Sequence, residues 1–119
     1  MAVADKTTWG AMRAERPRAA RYPFLANVTL TDLESGYTVV AKTRDLSLFG
    51  CRLVLRNSTP AGTRVRLQIT YKGDVFEAFG RVANAGPSEG LGIVFTKIEE
   101  RHQSILEKWI VELRIRKHR

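Results

Sequence analysis

Two short stretches of this 119-residue chain hold side chains whose types and spacing could do chemistry. Arg13, Arg16, Arg18 and Arg21 fall within nine positions, offset only by Glu15, immediately before the first apolar run. Positive charge crowded in this way attracts an anionic partner, although a solvated charge run is the plainer reading of any such stretch. The second stretch is DLSLFG, Asp45 to Gly50. In an extended segment the side chains of Asp45 and Ser47 point to the same side, so a carboxylate and a hydroxyl stand together. Gly50 lets the backbone turn, or lets a ligand approach where a Cβ would block it. A strand-to-turn transition accounts for the same three residues: Asp and Ser satisfy local amides and Gly supplies a positive φ.

The remaining inventory argues against catalysis. His102 falls on an apolar helical stripe near Leu106, where a satisfied or half-buried core histidine is expected, and His118 lies in the C-terminal tail. Neither has a sequence-local partner for a nucleophilic triad, and no HExxH or CxxC spacing is present to hold a metal. There is no GxxxxGK[ST] to cradle phosphates, and the two glycines of GLG, 90 to 92, read as a turn or a bulge beside a strand. Cys51 is the only cysteine, which excludes an internal disulfide and a cysteine-based zinc site. We expect no enzyme, no metal and no cofactor.

Composition sets the frame around these residues. With 44% hydrophobic and 27% charged residues the chain reads as one globular domain. No run approaches the ~20 apolar residues of a membrane-spanning helix. The first dozen residues carry Asp5 and Lys6 and lack the apolar stretch of a secretory signal, so a cytoplasmic location is the default expectation. The formal net charge is +8, and it is unevenly placed: residues 1–21 carry +3, residues 22–113 only +1, and residues 114–119 carry +4. The body is nearly neutral and the ends hold the positive potential. For RIRKHR at the C-terminus a solvated tail, or a last-turn complement to a helix dipole, suffices.

The elements that must position the two stretches follow from periodicity. Residues 24 to 95 alternate with period two. FLANVTLTD offers Phe24, Ala26, Val28 and Leu30 to one face, ESG turns, and YTVVAKTRD follows with Tyr37, Val39 and Ala41, which reads as a hairpin. CRLVLR puts Cys51, Leu53 and Leu55 inward and Arg52 and Arg56 outward. RVRLQITY and VFEAFGRVANA, joined by the tight-turn signal KGD, form a second hairpin, and LGIVFT closes the series. Six short strands predict a mainly β, six-stranded antiparallel barrel, because closure removes unpaired edges. From residue 97 the period changes: Ile98, Ile105, Leu106, Trp109, Ile110 and Leu113 form one apolar stripe on a C-terminal α-helix that packs on the barrel. Thr96 and Glu99 have capping-box spacing at its start. The expected division is a flexible basic arm (1–21), a barrel (22–96), and a helix with a basic tail (97–119).

The combination of an arginine cluster upstream of the first strand, DxSxxG after the second, Gly-x-Gly near the end of the strands and a closing helix resembles the PilZ domain family. The resemblance spans roughly residues 13 to 113. Asp45, Ser47 and Gly50 match the family motif at every defined position, and Arg21, leading into the first strand through ARYPF, resembles the second arginine of the family's RxxxR arm motif. Four positions before Arg21 stands Pro17, with arginines on either side. The first motif arginine is therefore displaced to Arg16 or Arg18.

PilZ domains are bacterial receptors for the second messenger cyclic di-GMP, and the resemblance implies a nucleotide-binding, signal-transducing role here. Guanine displays O6 and N7 as paired acceptors that one guanidinium meets with two hydrogen bonds, and arginine also stacks on purines and pairs with phosphate. By resemblance, Arg21 with Arg16 or Arg18 would take a guanine edge and the phosphates, Asp45 and Ser47 would contact a guanine, and Gly50 would keep the surface open. A protein effector is the implied partner. Two other readings stand beside it: a PilZ-like interaction module that binds no cyclic di-GMP, which Pro17 supports, and a basic barrel for single-stranded nucleic acid. Against the last, most aromatics of the body fall on core faces, leaving Phe49, and Trp9 in the arm, as the exceptions.

Overall fold

The computed structural model describes residues 19–55, 59–86 and 90–117. Arg13, Arg16, Pro17, Arg18, Trp9, Arg56 and His118 lie outside the described residues, as does nearly all of the expected arm. Seven strands and one helix follow in order: β1 (Tyr22–Pro23), β2 (Asn27–Asp32), β3 (Thr38–Leu46), β4 (Gly50–Val54), β5 (Arg64–Tyr71), β6 (Asp74–Gly86), β7 (Gly90–Lys97) and α1 (Glu100–Lys117). The sheet order is β1-β3-β2-β5-β6-β7-β4, and a further pairing of β3 with β4 closes β2 to β7 into a six-stranded antiparallel barrel. The two residues of β1 add to the end of β3, with Tyr22 opposite Leu46 and Pro23 opposite Asp45. Among the described residues no helix is long and apolar enough to cross a membrane.

The alternation seen in the sequence is the reason the barrel has an inside. Phe24, Ala26, Val28 and Leu30, then Cys51 and Leu53, Val65, Leu67 and Ile69, and Phe76, Ala78 and Val82 are all buried. The hairpin between β5 and β6 turns through Lys72 (φ 51) and Gly73 (φ 86), two successive positive φ values that match a type I′ turn to the strand twist. Tyr37 departs from its expected inward place: it is 70% exposed, because it stands before β3 begins at Thr38.

The first expected strand, 24 to 32, forms only from Asn27 as β2, and a single side chain explains why residues 24 to 26 leave the ladder. Thr43 is completely buried. Its hydroxyl donates to the carbonyl of Phe24 (2.6 Å) and accepts from the amide of Ala26 (2.9 Å), while its own amide donates to the Ala26 carbonyl (2.9 Å). A side chain has taken ladder positions that a main-chain group would otherwise fill. The register of β3 against β4 slips between Thr43 and Asp45, leaving Arg44 as the extra residue of a bulge whose carbonyl accepts from Phe24 (3.0 Å).

The helix begins later than its capping spacing suggests. Strand β7 runs on to Lys97, so Thr96 is an exposed strand residue and does not cap. The Glu99 carbonyl accepts instead from the amides of His102 and Gln103, both at 2.9 Å. Leu106, Trp109, Ile110 and Leu113 are buried, and Ile98 and Ile105 pack beside the core. Trp109 meets Phe24, Tyr71 and Phe76 at ring-centroid distances of 5.5, 5.5 and 6.0 Å. Lys108 donates to Asp74 (2.9 Å) and Arg116 to the Tyr71 hydroxyl (2.9 Å), so helix and barrel are also tied at the rim.

Candidate functional site

Arg21, the one arginine of the first stretch among the described residues, meets the second stretch where β1, β3 and β4 come together. Tyr22 and Pro23 pair with the end of β3, which brings Arg21 alongside DLSLFG. Arg21 donates from Nη1 to Asp45 Oδ1 at 2.7 Å, across 24 residues of sequence. The arginine side chain is 51% exposed and the carboxylate 21%. An arginine carries five N–H donors in a fork, and one is engaged here. The pair therefore offers both a cationic and an anionic hydrogen-bonding edge at the surface.

Ser47 and Gly50 sit lower in the same loop and face local partners. Ser47 is buried, and its hydroxyl accepts from the amides of Phe49 (3.1 Å) and Gly50 (3.2 Å) and lies 3.3 Å from the Gly50 carbonyl. The Ser47 amide also donates to that carbonyl at 2.9 Å. The serine thus builds the turn that aims Leu48 and Phe49 outward, and Phe49 is 61% exposed. Gly50 is buried as well, and a Cβ on it would lie 2.1 Å from the Ile93 carbonyl oxygen. Its missing side chain is spent on the close approach of β4 to β7, rather than on opening the surface. Arg16 and Arg18 lie outside the described residues, so of the six expected site residues the structure brings together Arg21, Asp45, Ser47 and Gly50.

Burial dominates the electrostatics beneath the loop. The Cys51 thiol is pushed up to about 12, first by desolvation, then by the Asp45 carboxylate, with Arg21 opposing. At neutral pH it stays protonated and unreactive. His102 is buried on α1, and its Nδ1 accepts from the Glu77 amide at 3.1 Å, so it is a satisfied core histidine. Among the described residues no group of three or more His, Cys, Asp or Glu could hold a metal.

Sequence reasoning missed Thr43 as the residue that bends the lead-in onto β3. Its only signal is a threonine on the inward phase of a strand, where the pattern calls for an apolar residue. Reasoning from single strands also passed over Arg52, which the ladder sets opposite Asp45.

Comparison with known proteins gives a consistent picture. A family model described as the PilZ domain matches residues 13–112. No curated protein sequence matches the chain significantly. Among solved structures, the inhibitor of motility of Bacillus subtilis is 20% identical with a TM-score of 0.71, over 87% of this chain and 54% of that one. This chain thus spans about half the length of that protein. The PilZ domain of CeSA from a cellulose-synthesising bacterium is 17% identical with a TM-score of 0.65, covering 81% of this chain and 99% of that one. The PilZ domain of YcgR from Escherichia coli, solved with c-di-GMP, is 18% identical with a TM-score of 0.65, covering 86% and 94%.

Proposed function

This chain belongs to the PilZ domain family, and on that premise we propose that it is a cytoplasmic cyclic di-GMP receptor that signals to a partner protein. The observation that carries this reading is the 2.7 Å contact between Arg21 and Asp45. A guanidinium from the lead-in and a carboxylate from the loop occupy one surface patch, and a guanine nucleotide needs both: donors for O6, N7 and phosphate, and an acceptor for its ring N–H and amino group. In the free protein the two groups satisfy each other. On binding, Arg21 uses its remaining donors on the ligand, and Asp45 accepts from the base.

Arg16 or Arg18 joins Arg21 on the ligand. Ser47 and Gly50 serve the site by holding the turn and the β4–β7 contact that set the height of Asp45. The position of the N-terminal arm in the bound state is what the partner reads. Calorimetric titration of the full chain with cyclic di-GMP, and with a short single-stranded oligonucleotide, each at two salt concentrations, tests this. Cyclic di-GMP binding is expected, its salt dependence shallower than that of a nucleic-acid ligand, and Arg21→Ala is expected to abolish it. Absence of binding to either would leave the interaction module, the reading that Pro17 supports.

A further inference from the structure

The outer surface beyond Asp45 continues as one cross-strand line. Asp45 on β3 is opposite Arg52 on β4, Arg52 is opposite Gly92 on β7, and Gly92 is opposite Asn84 on β6. Directly opposed residues of an antiparallel ladder share a face. The flanking Leu46, Cys51, Leu53, Leu91 and Ile93 are buried, so this line looks outward. Three strand spacings of about 4.8 Å give it a length of about 14 Å, enough for a purine and its sugar-phosphate.

Arg52 is held in this line rather than left to wander. Its Nη1 donates to Asn84 Oδ1 at 3.2 Å. Between the two strands lies Gly92, where an added Cβ would fall 2.6 Å from Asn84 Oδ1 and 3.5 Å from Arg52 Nη2. The arginine and the amide therefore close over a floor that no other residue type leaves open. A bulge in β6 between Val82 and Asn84 sets Asn84 opposite the glycine.

The order of groups along the line matches one base. Read along its Watson–Crick and Hoogsteen edges, guanine presents amino N–H, ring N–H, O6 and N7, two donors followed by two acceptors. A carboxylate beside a guanidinium presents two acceptors followed by two donors. Asp45 and Arg52, opposite each other on β3 and β4, supply those two groups from one face. Adenine offers an unprotonated ring nitrogen to the carboxylate and an amino group beside N7 to the guanidinium, so the first contact fails and the second keeps only one of its two hydrogen bonds. We propose that Arg52, held over Gly92 by Asn84, reads the O6 and N7 edge of the guanine that Asp45 holds, and makes binding selective for guanine over adenine. This rests on the receptor reading above.

The test compares the wild-type chain with Arg52→Ala and Arg52→Lys by titration with cyclic di-GMP and competition with cyclic di-AMP. Arg52→Ala is expected to weaken cyclic di-GMP binding by about tenfold or more, and cyclic di-AMP by much less, so that selectivity falls. Arg52→Lys keeps the charge but not the fork, and is not expected to restore it. An unchanged melting temperature in both variants shows that the fold is not what was lost. The proposal is overturned if Arg52→Ala binds cyclic di-GMP within about twofold of wild type, or if affinity for both ligands falls together, which is loss of charge alone. In either case wild-type binding leaves the receptor reading standing; a wild-type chain that binds neither ligand sinks both.

Discussion

The seam of β1, β3 and β4 and the cluster beneath α1 are held by opposite means. At the seam the contacts are polar and local: Thr43 replaces ladder bonds, Ser47 folds its own turn, and Arg21 reaches Asp45. Beneath the helix Phe24, Tyr71, Phe76 and Trp109 pack ring against ring, and Trp109 Nε1 is buried there with no partner among the described residues. Phe24 belongs to both, its carbonyl at the seam and its ring in the cluster. The difference teaches where each kind of energy is used. Apolar area supplies stability without direction, whereas hydrogen bonds add little net energy but fix where a charged side chain stands.

That contrast can be broken at its strong end first. Trp109→Ala should cost about 3–5 kcal/mol in urea unfolding, because it empties a cavity among three rings. Trp109→Phe should cost far less, since it keeps a ring and discards the unpartnered N–H. If the alanine variant unfolded like wild type, the cluster would not be what stabilises the barrel.

The next effect sharpens the polar side. Thr43→Val keeps the shape but strands the Ala26 amide and the Phe24 carbonyl, a loss of about 2–6 kcal/mol at 1–3 per buried group. It should also weaken cyclic di-GMP binding, although Thr43 is buried away from any ligand, because the lead-in no longer lies along β3. Smallest of all is the stability effect of Arg21→Ala. Half of that side chain is exposed, and an exposed pair contributes at most about 1 kcal/mol, so thermal melting should barely move while ligand titration collapses. A large drop in melting temperature there would mean that the pair is structural and not a waiting site.

How much of this was legible beforehand can be argued residue by residue. Period-two alternation from Phe24 to Phe95 specified the barrel strands and most of what they bury, since a pleated strand sends neighbours to opposite faces. The three- and four-residue spacing of Leu106, Trp109, Ile110 and Leu113 specified the helix for the same kind of reason. The Thr96–Glu99 spacing misled because a capping pattern says nothing about whether the strand before it has ended.

What the sequence determined by itself was thus local: the period of each segment, the turn residues, and the residue types at Arg21, Asp45, Ser47 and Gly50. Only the tertiary structure decided that Arg21 meets Asp45, that Gly50 lies against the Ile93 carbonyl, and that Arg52, Gly92 and Asn84 extend the line from Asp45. The physical reason is that cross-strand neighbours are set by register, and register here depends on a bulge beside Thr43 and another beside Asn84. One residue more or less in a strand turns every side chain beyond it to the other face.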